Sequence, residues 1–129
     1  MTLSLVFRIQ AIMFAIFGFG MLLAPGAMMS TFMPDVGVLS TVVAASIMQG
    51  MSLMVLAMSY ISWQMPNWVA DNIKTVGMFF AIVHVAWIVL TIFQMTSGAF
   101  PSDTANLVGN IGPDVVLAIL FFWKSRADA

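Results

Sequence analysis

The stretch Thr104–Trp123 reads TANLVGNIGPDVVLAILFFW, and it decides how the chain is built. Its continuous apolar part, Val115–Trp123, covers only about 14 Å as a helix, whereas the hydrocarbon core of a bilayer is about 30 Å thick. A helix that crosses the membrane must therefore begin near Thr104, which places Asp114 close to the midplane. A carboxylate at that depth is costly, so we expect it to face protein or water and to have hydrogen-bonding partners.

Composition indicates that the rest of the chain is also in a membrane. Of its 129 residues, 62% are hydrophobic and only 7% are charged, whereas a soluble domain carries about 25% charged residues. We therefore expect an integral membrane protein whose residues 1–129 form one compact domain, with the lipid bilayer as its surroundings. The few basic residues make no patch for nucleic acid. The lack of cysteine excludes disulfides, thiolate metal sites and cysteine nucleophiles.

Four apolar segments of membrane-spanning length are separated by turn-forming residues, which predicts an all-α, four-helix bundle. The predicted helices cover residues 3–23, 39–63, 69–94 and 104–123. Pro25 and Pro66 are expected to separate the first helix from the second and the second from the third, because proline cannot continue the backbone hydrogen bonds. In the last helix, Gly112-Pro113 predicts a kink or a break, and Ser102 or Asp103 is expected to cap its start.

Two segments allow a second interpretation. Gly112-Pro113-Asp114 can instead start a short half-helix, because proline suits the first position and an acid in the first turn complements the helix dipole. Residues 96–112 would then form a re-entrant or surface loop, which is tolerated only against protein or water. Met28–Gly37 fits a headgroup-layer segment and a partly buried loop equally well.

Small and polar residues recur at helical spacing, which predicts faces where helices approach closely. The first helix carries Ala11, Ala15, Gly18 and Leu22. The second carries Val42, Ser46, Gln49, Ser52, Leu56 and Tyr60, including the close-packing pattern Ser46-x-x-x-Gly50. The third carries Gly77, Ala81, His84, Ile88 and Thr91.

The basic residues predict the orientation of the helices. With four spans both termini lie on one side, and all basic residues fall there: Arg8, Lys74, Lys124 and Arg126. The opposite loops carry Asp35 and Asp103. Because basic residues are retained on the cytoplasmic side, the prediction is a multi-pass protein of the cell's inner membrane, N-in and C-in, with both termini cytoplasmic.

Three predicted helices each carry one polar side chain at a similar depth: Gln49, His84 and Asp114. If they face inward together, they form one buried hydrogen-bonded cluster. Asn106 and Asn110 precede Asp114 at four-residue spacing and extend a polar stripe from the surface inward. The cluster can hold the helices in register, form a proton or ion path, or form part of a cofactor or lipid-headgroup site.

His84 is also a candidate axial ligand, since one imidazole can bind the iron of haem or the magnesium of a chlorophyll-type pigment. A quinone site is the third option for the same residue. The sequence has no second histidine, no cysteine and no glutamate, so no multidentate metal site is expected. No serine stands in a recognisable nucleophile motif with His84 and Asp114. The expectation is therefore that the protein is not an enzyme, with no catalytic residues and no obligatory cofactor.

Two stretches resemble a known group of proteins. Phe17–Phe32 reads FGFGMLLAPGAMMSTF and follows Arg8, and Pro113–Phe122 reads PDVVLAILFF with a single acid. Together they resemble the small four-helix DoxX-like and DUF4345-like bacterial membrane proteins. The resemblance covers most of the chain in layout but only these stretches in residues. It implies the four-helix fold, and some members are linked to membrane redox complexes, but it carries over no catalytic residue.

These features lead to three functional expectations. The first is a non-catalytic accessory subunit that packs against other membrane protein subunits or against its own copies, because the surface is apolar and the loops are short. The second is a small transporter or proton-conducting protein that uses Asn106, Asn110, Asp114 and His84. The third is a haem-, pigment- or quinone-binding anchor that uses His84.

Overall fold

The computed structural model describes residues 1–32 and 38–127, and this part of the chain is almost entirely helical, with no strand. Its helices are α1 (Leu3–Leu23), α2 (Pro25–Phe32), α3 (Val38–Trp68), α4 (Ile73–Thr96) and α5 (Thr104–Arg126). Within the described part, α1, α3, α4 and α5 are long and apolar enough to cross a membrane. The predicted all-α fold is thus confirmed for these residues, and the four candidate spans agree with the predicted multi-pass protein.

The segment after α1 contains a helix that the sequence analysis did not predict. α1 ends at Leu23, and Pro25 is the first residue of α2 instead of part of a loop. Proline suits this position because the first backbone N–H of a helix has no intrahelical partner to lose. The amide of Met28 donates to the carbonyl of Ala24 at 3.1 Å and closes the first turn. Residues 33–37 of the predicted Met28–Gly37 segment, with the predicted loop acid Asp35, lie outside the described residues.

The boundary between α3 and α4 lies further along the chain than predicted. α3 continues through Pro66 to Trp68, a 3-10 turn covers Ala70–Asn72, and α4 begins at Ile73. Pro66 costs one backbone hydrogen bond, but only Asn67 and Trp68 follow it in α3, so the helix ends directly after the proline. The next amide after the helix, that of Val69, still donates to the carbonyl of Met65 at 3.0 Å.

α5 is helical along its whole length, but its hydrogen-bond pattern changes partway. Thr104–Asn106 is α-helical, Leu107–Ile111 forms a π-helical turn, and Gly112–Arg126 returns to α-helix. A proline ring normally clashes with the carbonyl four residues earlier, and a widened π turn directly before Pro113 relieves that clash. The alternative with a loop up to residue 112 is therefore not what the structure shows.

Contacts divide the chain into two compact units, residues 1–7 with 65–129 and residues 8–64. In the first unit α4 and α5 run antiparallel, with Gly77 near Ser125 and His84 near Asp114. In the second unit α1 and α3 run antiparallel, as the contact between Gly18 and Leu56 shows together with the hydrogen bonds described below. The single domain expected from the sequence stays a prediction.

Candidate functional site: a buried histidine–aspartate pair

His84 and Asp114 meet between α4 and α5. The Nδ1 atom of His84 lies 2.5 Å from Oδ1 of Asp114. The imidazole is 4% exposed and the carboxyl group 18% exposed. Asp114 stands where α5 returns from the π turn to α-helix. The contact with His84 of α4 places this acid toward protein and not toward lipid.

Aromatic rings pack around the imidazole. The ring of Phe121 stacks on that of His84 with 5.9 Å between centroids and 14° between planes. Phe121 also stacks on Phe80 at 5.6 Å and meets Phe7 edge-on at 4.8 Å. Phe7 and Phe121 are fully buried and Phe80 is 8% exposed. Phe121 thus covers one face of the imidazole with an apolar cluster, and a hydrogen bond in such low-dielectric surroundings is stronger than in water.

A line of hydrogen bonds begins where α5 begins and runs into the helix. Asp103 caps α5, and its Oδ1 accepts from the backbone amide of Asn106 at 2.9 Å. The side-chain amide of Asn106 donates to Oδ2 of Asp103 at 3.0 Å, and that of Asn110 donates to Oδ1 of Asn106 at 2.9 Å. Asn106 is fully buried. The predicted cap at Asp103 is thus confirmed, and the stripe residues Asn106 and Asn110 are linked to each other.

The cap also changes the acidity of Asp103. The backbone amide of Asn106 lowers the pKa of this carboxyl group below its usual value of 3.8, and the side-chain amide of Asn106 lowers it further. Both donors bind the charged form of the acid. Asp103 therefore holds its negative charge at the start of α5, on the side from which the polar stripe leads toward Asp114.

Gln49, the third residue of the predicted cluster, belongs to the other compact unit. Its side chain is exposed, and its Nε2 atom donates to the backbone carbonyl of Leu22 at 3.2 Å. The structure thus brings two of the three predicted residues into contact and gives the third a bond between α3 and α1. That bond resembles the interhelical hydrogen bond that polar residues make in membrane proteins.

Further polar contacts in residues 8–64 were not predicted from the sequence. Gln10 and Ser62 are fully buried, and Nε2 of Gln10 donates to Oγ of Ser62 at 2.7 Å. The hydroxyl of Ser59 donates to the backbone carbonyl of Ala11 at 2.7 Å. A glutamine within an apolar helix is itself a signal, since polar groups in lipid need partners. The two serines gave no comparable signal, because serine often bonds to its own helix.

The contact between His84 and Asp114 limits the chemistry of this site. An aspartate on Nδ1 fixes the tautomer of the imidazole, and the two groups can hold or exchange a proton. Among residues 1–32 and 38–127, no group of three or more His, Cys, Asp or Glu side chains is placed to hold a metal ion. Axial ligation of haem or a pigment by His84 stays a prediction. The burial of the ring argues against it, because a macrocycle needs open space beside the second ring nitrogen.

No family model, curated protein or solved structure matches the chain. The resemblance to DoxX-like and DUF4345-like proteins therefore stays a prediction.

Proposed function

We propose that the protein is a non-catalytic membrane subunit that packs against helices of other membrane proteins or of its own copies. The observation that carries this proposal is one face of α3. Ser46, Gly50, Leu53 and Ala57 follow at three- and four-residue spacing, so they share that face, and all of them are exposed. Three of these four residues, Ser46, Gly50 and Ala57, are small, which suits the close approach of a second helix in lipid.

Gly50 leaves the most room on this face. A Cβ atom added to Gly50 would meet no described atom within 4 Å. α3 is also the most exposed span. In its 18-residue apolar stretch 6% is buried, whereas the corresponding share is 22% to 28% in the other three candidate spans. Beside the face, Gln49 presents an exposed amide group. A small-residue face next to an amide group is better matched by a partner helix than by acyl chains alone.

In this proposal the His84–Asp114 pair has a structural role. It fixes α4 against α5 within their own unit, while the ring of Phe121 packs on the imidazole. A buried polar pair of this kind specifies one register between two helices, because sliding either helix would leave both groups without partners. The subunit then presents a fixed surface to its neighbours.

We propose an N-in, C-in topology in the inner membrane. Within the described residues, the basic side chains near the end of α5 lie over aromatic rings: Lys124 over Trp123 at 3.7 Å and Arg126 over Phe122 at 4.3 Å. Such pairs suit the interface, where long basic side chains reach toward water and aromatic rings lie at the headgroups. The π turn before Pro113 supports a bend in α5, since π bulges and proline both accompany helix kinks.

The test uses the absence of cysteine from the chain. Gly50→Cys places a single thiol on the proposed face, and mild oxidation in native membranes should yield a disulfide-linked dimer where the partner is a copy. A photoactivatable cross-linker attached to the same thiol should capture the partner where it is another subunit. Ile82→Cys is the matched control, because Ile82 is 62% exposed on α4, outside that face. The mass of the cross-linked product identifies the partner.

A second variant checks the result without cross-linking. Gly50→Leu should dissociate the assembly in mild detergent, measured as a loss of the larger species in native mass spectrometry. Ile82→Ala should leave that species in place. A wild-type protein that is monomeric in its own membrane, with no product from Gly50→Cys, would contradict the proposal.

The contact between His84 and Asp114 favours a second candidate, proton conduction. Two ionisable groups within hydrogen-bonding distance can exchange a proton, and the asparagine stripe leads from Asp103 toward them. The test is proton flux into liposomes that contain the purified chain and a pH-sensitive dye. Asp114→Asn should abolish the flux, while Asp71→Asn in the 3-10 turn should not. Flux that is absent from the wild type, or unchanged in Asp114→Asn, removes this candidate.

A further inference from the structure

A groove runs along the contact between α1 and α3 within residues 8–64. Its volume is about 390 Å³. Ala11, Ala15 and Phe19 line it on α1, while Leu56 and Trp63 line it on α3. The groove exists because the two alanines are short, so they leave a trough beside the larger side chains.

The surface of the groove is apolar along its length. Ser59 also lines it, but its hydroxyl already donates to the backbone carbonyl of Ala11 at 2.7 Å. From Ala11 to Phe19 the groove follows α1 for about 12 Å at 1.5 Å per residue. That length is somewhat less than half of the roughly 30 Å hydrocarbon core, so the groove matches a single leaflet.

A cation lies at one end of the groove. The guanidinium carbon of Arg8 is 5.4 Å from the ring centroid of Trp63, which lines the groove. Arg8 is exposed. Within residues 1–32 and 38–127, no carboxylate forms an ion pair with it. A guanidinium that stacks on an aromatic ring keeps its N–H groups at the edge, where they can bind a phosphate with two parallel hydrogen bonds.

Aromatic rings at the same end fit the headgroup region. Tyr60 also lines the groove and is 60% exposed, while Trp63 is 45% exposed. Tyrosine and tryptophan are enriched where a membrane meets water, because each has an apolar body and a polar tip. The groove thus extends from an aromatic, cationic end toward an apolar end deeper in the bilayer.

We propose that this groove binds one acyl chain of an anionic phospholipid and that Arg8 binds its phosphate. The charge of Arg8 and the apolar trough match the two halves of such a lipid. A second helix is a poorer occupant, since it would cover Arg8 and remove the cation from water without supplying a counter-charge.

The test is native mass spectrometry of the full chain in mild detergent. The protein is incubated with equal amounts of phosphatidylglycerol and phosphatidylcholine that carry identical acyl chains. We expect the wild type to retain one phosphatidylglycerol molecule in preference. Arg8→Gln should lower that retention roughly fivefold, the usual contribution of one basic residue at an anionic surface. Arg8→Lys should lower retention less than Arg8→Gln, because the charge remains while the stacking and the two parallel hydrogen bonds are lost.

Two matched controls separate the groove from general lipid binding. Lys124 lies over Trp123 at 3.7 Å but lines no part of the groove, so Lys124→Gln should leave retention unchanged. Ala15→Phe should fill the trough and displace the lipid, whereas Ala86→Phe on an exposed position of α4 should not. Circular dichroism confirms that each variant is helical.

Three results would overturn the proposal. The first is equal retention of the two lipids by the wild type. The second is an equal loss in Lys124→Gln and Arg8→Gln. The third is retention of phosphatidylglycerol that does not change in Ala15→Phe, because the lipid would then bind outside the groove.

Discussion

The two compact units hold their helices together with different chemistry. In residues 8–64, α1 and α3 are linked by serine and glutamine side chains, for example by the bond from Ser59 to the carbonyl of Ala11. In the other unit, α4 and α5 meet through stacked rings and one ionisable pair, with Phe121 on His84. Because lipid is as apolar as the helices, neither pair gains stability from hydrophobic burial alone. Each therefore depends on tight packing and on polar contacts.

Both units nevertheless share one feature, a glycine where the helices cross. A Cβ atom on Gly18 would lie 2.7 Å from Cγ of Leu56. A Cβ atom on Gly77 would lie 2.5 Å from Oγ of Ser125 and 3.0 Å from a methyl carbon of Leu3. Close approach of the helix backbones is therefore common to both units, whereas the side chains that fix the register between the helices differ.

The largest effect on stability is expected in the unit whose helices meet through stacked aromatic rings. Phe121→Ala should destabilise the protein by about 2–3 kcal/mol, because removal of a fully buried ring leaves a cavity of roughly 100 Å³ at about 24 cal/mol per Å³. The measurement is unfolding in mixed micelles by titration with sodium dodecyl sulfate. Phe122→Ala is the control, since its neighbouring ring is 45% exposed. Equal losses from both variants would show that the buried cluster has no special role.

The next effect tests the backbone approach of α1 and α3. Gly18→Ala should cost about 1–2 kcal/mol, because the new methyl group overlaps Leu56 and the packed helices must shift. Gly26→Ala in α2, which meets no described atom within 4 Å, should be neutral or stabilise the helix by up to about 1 kcal/mol. The same unfolding titration applies. A stable Gly18→Ala variant would mean that the helices do not approach each other as closely as described.

A smaller effect is expected from the serine bond that characterises the α1–α3 contact. Ser59→Ala removes the hydrogen bond to the carbonyl of Ala11 and should cost about 0.6 kcal/mol, the average for interhelical bonds in membranes. Ser30→Ala in α2 is the control, because the hydroxyl of Ser30 bonds to the carbonyl of Ala27 in its own helix. If the two variants lose the same stability, the bond across the helices contributes nothing of its own.

The smallest effect concerns the cap of α5 and its dependence on pH. The pKa of Asp103 is lower in the folded protein than its ordinary value of 3.8. Ionised Asp103 therefore stabilises the fold above pH 3.8, and this stabilisation is lost as the pH falls through the pKa of the folded state. At low pH, hydrogen exchange of the first backbone amides of α5 should therefore be faster in the wild type than in Asp103→Asn. Asparagine keeps a hydrogen-bond acceptor at this position but has no group that titrates. The measurement is hydrogen exchange of both proteins at matched pH, with Asp71→Asn as the control. An identical pH profile for wild type and Asp103→Asn would contradict the assignment.

The sequence predicted the helical spans well but some of their ends poorly. Apolar runs of membrane length leave few alternatives, so the start of α1 at Leu3 and the start of α5 at Thr104 agree with prediction. Pro25 follows the end of α1 as predicted and also begins α2, because the first position of a helix needs no donor. The prediction at Pro66 was wrong, since this proline lies inside α3, two residues before the helix ends.

The contacts of the candidate site were predictable only in part, because depth in the membrane can be counted from the sequence but the direction of a side chain cannot. His84 and Asp114 fall at similar depths when residues are counted from the helix ends, and the structure places them in contact. Gln49 reaches a similar counted depth, but its amide group bonds to Leu22 within its own unit. Counting residues from the helix end gives the position of a residue along the membrane normal. It does not give the direction in which the side chain points around the helix axis.

The sequence alone determined that the described residues contain four segments long and apolar enough to cross a membrane, that their secondary structure is helical, and that a lone acid in α5 would need a partner at that depth. These conclusions follow from composition, run length and the cost of a charge in lipid, none of which depends on how the helices pack. Only the tertiary structure decided that the partner is His84, that Phe121 covers it, and that serines and Gly18 join α1 to α3. Those contacts depend on the rotation and crossing of whole helices, which are set by packing between residues far apart in the chain.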